Sequence, residues 1–371
     1  MIMGVDGRPA NTSERAGIGN YCRGLLEALG RRDDLSLRVY LDRAAGPHFP
    51  LDEPAAEIRA LPACRFWTFR RLAGELRRDP PSVFVSSTIQ LPPRPPCPSI
   101  ATVHDLAFMT FPRHFDAKRR FISPWRARLA VRCATHLIAD SEATRTDLIR
   151  LLNVDIERIS VVYPGCSPSF RPDDDAETLA RVREACRLPE RYFLYVGQLQ
   201  PRKNLVRLIQ AFTGFREEHP GSPHELVIAG GGGWLHKEIY EAAERSPARD
   251  SIRFTGFVAD ADLPALVSQA DALVLVSLWE GFGLPVLEAM ASGTAVITSN
   301  CSSLPEVAGD AGLLVDPYDV DAIQKALAQV ACDAALRKTL EKKGVARARL
   351  FSWDTAAERI AAIAAGLVAQ R

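Results

Sequence analysis

No stretch of this sequence reaches the ~18 apolar residues that a membrane-spanning helix requires, and no charged segment with a long apolar run precedes Ile2-Met3-Gly4-Val5-Asp6. These absences predict a cytoplasmic protein, with contact at the inner face of a membrane left open. Cysteine pairing is missing too. The cysteines at 22, 64, 97, 133, 166, 186, 301 and 332 form no C-x-x-C and have no histidine at zinc spacing, so a metal knuckle or redox pair is not expected. Excess charge is absent: 46 Lys and Arg oppose 45 Asp and Glu, which excludes the basic field that binds nucleic acid non-specifically. With 24 Gly and 26 Pro, the chain carries no glycine or proline excess, which excludes fibrous and low-complexity classes.

What remains is an ordinary globular composition over 371 residues, enough for two domains with a core each. The charge is unevenly placed, with 24 basic and 18 acidic residues in 1–170 against 22 and 27 in 171–371. Short apolar runs alternate with helical patterns, the mark of βα units and parallel sheets. Strands are predicted at 2–6, 35–41, 83–86, 99–104, 136–140 and 159–163, then at 192–196, 225–229, 252–255, 272–276, 295–298 and 312–315. Between the two sets lies Pro164-Gly165-Cys166-Ser167-Pro168, continuing to Asp175, which suits neither sheet nor helix. The expected division is a domain at 1–168, a second at 169–350 and a closing helix at 351–371 with Ser352 as its N-cap. Doubly wound folds bind ligands beyond the carboxyl ends of their strands, so the chemistry is sought in the loops there and in a cleft between two lobes.

Two such loops stand out. Ser277-Leu278-Trp279-Glu280-Gly281-Phe282-Gly283-Leu284-Pro285 follows a strand and enters a helix at a proline, a position where a missing N–H costs nothing. Amides at a helix start suit an anionic phosphate. Glu280 in the loop and Glu288 one turn into the helix then offer carboxylates to sugar and ribose hydroxyls. The other loop, Gly197-Gln198-Leu199-Gln200-Pro201-Arg202-Lys203-Asn204, pairs a planar guanidinium with a mobile ammonium, which can neutralise a diphosphate leaving group. As charges at an exposed cleft, Arg202 and Lys203 are not expected to carry stability.

These two stretches resemble the retaining glycosyltransferases of group 1, the glycogen-synthase-like enzymes of the GT-B fold. Glu280 and Glu288 match the family's E-x7-E, and Gly197 through Asn204 match its G-x-L-x-x-[RK]-K-N turn. Gly17-Ile18-Gly19-Asn20-Tyr21, Val103-His104-Asp105 and the closing Phe351-Ser352-Trp353 agree more weakly, so the likeness runs through the whole chain. The resemblance implies an α/β chain of two facing doubly wound, Rossmann-like, parallel-sheet domains. The N-terminal one would bind the acceptor, the C-terminal one the sugar nucleotide, with the last helix returning to the N-terminal domain.

It also implies that Arg202 and Lys203 hold the donor diphosphate and Glu288 the ribose. Glu280, with the amides of Gly281, Phe282, Gly283 and Leu284, would hold the donor sugar and phosphates, in a site that includes Gly197. Gly17 and Gly19 match a loop closing over the phosphates, and His104 a residue beside the reacting centre. The catalytic set is then His104, Glu280, Arg202 and Lys203, with no metal and no cofactor beyond the nucleotide sugar. The Gly17–Tyr21 loop looks most like mannosyl-transferring members, hence GDP-mannose as donor and a glycan or lipid-linked acceptor in polysaccharide or glycolipid assembly. No nucleic acid is expected as partner.

Other motifs have plainer explanations. Gly230-Gly231-Gly232-Gly233 lacks the acidic residue of a dinucleotide site. The D-x-D patterns at 173–175, 260–262 and 319–321 fall in the linker or at helix starts, where Asp caps. Arg65-Phe66-Trp67-Thr68-Phe69-Arg70-Arg71 and Lys118-Arg119-Arg120-Phe121-Ile122-Ser123-Pro124-Trp125-Arg126 mix aromatic and basic residues. They are either a membrane-facing surface or an ordinary helix face. Two rival functions use the same fold, a sugar-nucleotide epimerase and a non-catalytic two-lobed binding protein.

Overall fold

The computed structural model describes residues 1–12, 17–52, 55–172 and 175–370. The chain forms two compact units: Met1–Met109 with Lys118–Gly165 and Phe351–Arg371, and Thr110–Ala117 with Cys166–Leu350. The unit boundary at Gly165 falls within the Pro/Gly/Ser linker. The expected order of domains misses one exchange: Thr110–Ala117, eight residues inside the N-terminal half, packs with the second unit.

The first unit holds strands β1 (Ile2–Asp6), β2 (Ser36–Leu41), β3 (Glu57–Ala60), β4 (Val83–Ser86), β5 (Ser99–Val103), β6 (His136–Ala139) and β7 (Ile159–Val161). They form a parallel sheet in the order β3-β2-β1-β4-β5-β6-β7. β3 was not expected; Glu-Ile-Arg-Ala is too polar to read as a buried strand, and it lies at the sheet edge, where burial is incomplete. Its charges are met locally: Arg59 joins Glu57, Glu75 and Asp79.

Alternation along the inner strands feeds both faces of this sheet. Val83 and Val85 join Met3, Val5, Leu25, Leu29 and Val39 in one core. Phe84 joins Tyr40, Leu76, Ala101 and Leu137 in the other. The closing helix Trp353–Ala369 completes the first core through Trp353, Ala357, Ile360 and Ala364. Its start is fixed by Ser352 Oγ, which accepts from the Asp354 amide at 3.1 Å.

The second unit repeats the topology. β8 (Arg191–Val196), β9 (His224–Ala229), β10 (Ile252–Gly256), β11 (Ala272–Leu275), β12 (Ala295–Ser299) and β13 (Leu313–Val315) run parallel in the order β10-β9-β8-β11-β12-β13. In each sheet the winding reverses at one pair, β1/β4 in the first unit and β8/β11 in the second. Such a switch point opens a crevice at the strands' carboxyl ends. Among the described residues no helix is long and apolar enough to cross a membrane.

Candidate active site

The switch point of the second sheet carries the densest polar cluster that the sequence pointed to. After β8 the chain makes a 3-10 turn, Pro201–Lys203, stopped by Asn204 in the left-handed conformation at φ 62°. Asn204 is buried, and its amide donates to the carbonyls of Val276 (2.9 Å) and Pro317 (2.7 Å), tying this turn to the loops after β11 and β13. Asparagine tolerates that conformation better than most residues, and its side chain fixes the turn.

Across the switch point stands Glu280. Its Oε1 lies 2.6 Å from Lys203 Nζ and accepts from Ser277 Oγ at 2.6 Å; its Oε2 accepts from Arg202 Nη1 at 3.1 Å. Arg202 also donates to the Trp279 carbonyl. The loop is held from behind: Ser302 Oγ accepts the Glu280 amide at 3.1 Å, and Ser303 Oγ donates to the carbonyls of Glu280 and Phe282. Ser302 holds a left-handed φ of 56°, the local strain common where a loop is pinned for function.

Burial alone would push the Glu280 carboxyl up, but the charges of Lys203 and Arg202 outweigh it and hold the group at about 2. Glu280 is therefore a carboxylate at all physiological pH. The expectation of cations at an exposed cleft is corrected here: the Arg202 and Lys203 side chains are 9% and 12% exposed and form a buried triad with Glu280. Removing either cation would leave the buried carboxylate under-compensated, a costly change.

Gly283 begins the helix Leu284–Ala291 at φ 109°, and a Cβ there would lie 2.7 Å from Leu304 Cδ2, so the glycine sets how the helix start approaches the site. Glu288 sits one turn in, half-buried, its neighbours in charge being Asp260 and Cys166. Burial, helped by Asp260, pushes its carboxyl up to about 7. The structure thus gives the two glutamates opposite characters, one permanently ionised and one poised near neutrality.

Gly197 has φ 147° and belongs to a close backbone crossing: a Cβ on Gly230 (φ 145°) would lie 2.0 Å from the Gly197 carbonyl. Gly230 is explained by that crossing, and Gly233 by a similar one, where a Cβ would lie 2.6 Å from the Leu199 carbonyl. Of the D-x-D residues, Asp319 caps its helix through the Ala322 amide, Asp262 pairs with Arg181 and Asp175 caps through the Glu177 amide. Asp173 and Asp174 lie outside the described residues.

The first unit carries its own cluster at the carboxyl end of its sheet. His104, just after β5, has Nδ1 2.6 Å from Asp140 Oδ2 and Nε2 2.8 Å from the Ser87 carbonyl, with Tyr21 edge-on at 4.8 Å. Burial favours the neutral ring, but Asp140 outweighs it and raises His104 above its ordinary value. Both nitrogens are engaged, Nδ1 by a carboxylate and Nε2 by a backbone carbonyl. Gly17 and Gly19 fall in the first turn of the helix Gly17–Gly30, not in a loop; Gly17 is exposed with open space where a Cβ would be, and Gly19 is buried.

Sequence reasoning missed Ser277, Ser302, Ser303 and the support given by Asn204. The run Ser299-Asn300-Cys301-Ser302-Ser303 directly after a strand was the available signal.

A family model described as "Glycosyl transferases group 1" matches residues 178–347, and one described as "Glycosyl transferase 4-like domain" matches residues 16–165. O-antigen chain mannosyltransferase B of Escherichia coli is 36% identical over 256 residues, 69% of this chain and 67% of that protein. Serotype-specific mannosyltransferase WbdA of Escherichia coli is 29% identical over 276 residues; the match covers 73% of this chain but only 34% of that protein. Among solved structures, a sucrose-phosphate synthase from Thermosynechococcus elongatus superposes with a TM-score of 0.78 at 21% identity, covering 100% of this chain and 99% of the other. That likeness is one of fold.

Proposed function

Because this chain belongs to the group 1 glycosyltransferases, we propose that it moves a mannosyl unit from GDP-mannose to an acceptor hydroxyl with retention, in the assembly of a polysaccharide or glycolipid. The observation that carries this is the buried Arg202–Lys203–Glu280 triad bridging β8 and β11. A diphosphate needs two fixed cations and helix-start amides, and both are at hand on adjacent loops. The mannose follows from the relatives' names and from the Gly17–Tyr21 segment. Both matched family models describe glycosyl transferases, and they give the epimerase and the binding-protein alternatives no support.

In this account the diphosphate meets Arg202 and Lys203, and Glu280, with the amides of Gly281 to Leu284, turns toward the donor sugar and phosphates. Glu288 accepts from the ribose hydroxyls. Attack is front-face: the departing phosphate oxygen takes the acceptor's proton as the new glycosidic bond forms, and the two cations offset the charge that grows on it. No metal is required, since preorganised cations supply that charge. Gly17, exposed at the start of its helix with open space where a Cβ would be, leaves room for a ligand to approach the backbone.

The first unit takes the acceptor, a glycan or lipid-linked one. Its helix Ala117–Cys133 bears six basic residues and no acidic one, with Phe121 74% and Trp125 59% exposed, a surface suited to peripheral contact with an anionic membrane face. The test is slow donor hydrolysis across a panel of nucleotide sugars. GDP-mannose should be consumed faster than UDP-linked sugars; no turnover of any donor would overturn the reading.

A further inference from the structure

The segment Thr110–Ala117 leaves the first half of the chain and packs on the second unit, and its anchoring is specific. Phe111 lies against Trp279, ring centres 6.2 Å apart, beside Glu280. At the other end Phe115 stacks on Trp234 at 5.4 Å, and Trp234 Nε1 donates to the His114 carbonyl at 2.6 Å. Trp279 belongs to the loop after β11 and Trp234 to the loop after β9. His114 is therefore strapped over the turn after β8 that carries Arg202.

The ring of His114 stacks on Phe111 at 5.5 Å with an interplanar angle of 16°, and its Nδ1 is closed to solvent without a hydrogen-bond partner. A buried polar nitrogen without a partner is a cost that a structure normally avoids. Here it sits near Arg202, one of the cations assigned to the donor's diphosphate.

We propose that His114 is a further donor-site residue, its Nδ1–H donating to a phosphate oxygen of the bound diphosphate. This rests on the donor-site reading above and extends it to a residue from the other half of the chain, one that no motif marks. The charges bear this out. Burial first, then Arg202 and Arg207, lower the His114 pKa from its ordinary value, so the ring is neutral at rest. Arg113 and Asp116 stand on its own strap, Lys203 and Glu280 are paired beside Arg202, and His236 and Lys237 follow Trp234 on the loop after β9. A diphosphate arriving among these groups cancels the arginines' repulsion and adds an acceptor, and both favour the protonated ring. Binding should therefore take up a proton at His114. The gain is fully present below the free protein's His114 pKa and is lost as pH rises through the bound-state value.

The experiment follows the imidazole signals of His114 by NMR in the full-length protein, assigned with His114→Gln, across pH with and without inorganic pyrophosphate. Pyrophosphate carries no ribose and bypasses Glu288; GDP is run alongside. The His114 titration should move upward on binding. Calorimetry should show wild type binding pyrophosphate roughly tenfold tighter than His114→Gln at acid pH, the gap closing above neutrality. An unchanged titration, or a gap independent of pH, overturns the proposal. Arg202→Ala separates the two levels. If it binds pyrophosphate as wild type does, the donor site itself is misassigned. If it loses binding while the wild-type His114 titration stays fixed on pyrophosphate addition, only the role of His114 falls.

Discussion

Lys203→Ala should destabilise the protein at neutral pH, although the substitution removes nothing but a side chain that ordinary reasoning would place in solvent. Lys203 Nζ is 2.6 Å from Glu280 Oε1, and Glu280 is buried. A carboxyl held at about 2 instead of its ordinary 4.5 corresponds to roughly 3 kcal/mol of stability at pH 7. Lys203, Arg202 and Ser277 share that stabilisation, so losing the lysine should cost about 2 kcal/mol, below the 3–5 kcal/mol typical of a pair left wholly uncompensated. For a unit of this size that lowers Tm by roughly 4–8 °C.

The pH dependence follows from the depressed value. The contribution of Glu280 is fully present above 4.5 and is lost as pH falls toward 2; the unfolded state is common to both proteins, so the gap between wild type and variant should be complete at pH 7 and narrow only as pH falls through the variant's own Glu280 value toward 2. Urea unfolding of wild type, Lys203→Ala, Glu280→Gln and the double variant at pH 7 and near pH 2 measures both. The lysine's cost should largely vanish in the Glu280→Gln background. Equal stabilities of wild type and Lys203→Ala at pH 7, or the same cost with and without the carboxylate, would refute the triad as a stabilising unit.

Three further outcomes are expected. Glu288→Ala should lower GDP affinity about tenfold or more by calorimetry while leaving pyrophosphate affinity unchanged; since a carboxyl at about 7 must ionise to accept ribose hydroxyls, the wild-type advantage should grow as pH rises through 7. Saturating chelator should leave donor turnover largely intact, and a loss restored by magnesium or manganese would count against two cations sufficing. Gly283→Ala, forced to hold φ 109° with its Cβ 2.7 Å from Leu304, should cost about 1–3 kcal/mol in thermal unfolding and weaken donor binding through the displaced helix start.

The fold was legible because parallel strands buried on both faces read as unbroken apolar runs. Among the described residues, twelve of the thirteen strands fall on predicted segments, and the exception, β3, is a polar edge strand neutralised by a charge network that no local pattern reveals. The site was legible where function fixes spacing along the chain, as in Glu280 to Glu288 and Gly197 to Asn204. It was illegible where the partners are distant in sequence. Burial of Arg202 and Lys203 depends on a carboxylate 77 residues or more away. The pinning of the Glu280 loop depends on Ser302 and Ser303, and His114 arrives from the other half of the chain. The engagement of both His104 nitrogens likewise comes from Asp140 and Ser87, neither adjacent in sequence.

The central claim, sugar transfer with retention driven by cations at the switch point of the second unit, is tested most directly by one comparison. Wild type and Arg202→Ala are given GDP-mannose and a mannoside acceptor, and the product's anomeric configuration and the rate of GDP release are read together by NMR. The account predicts an α-linked product from the α-linked donor and a rate lower by roughly 10² to 10³ in the variant, as when one preorganised donor is removed from a developing anion. A β-linked product, or an Arg202→Ala variant that turns over as fast as wild type, would contradict it.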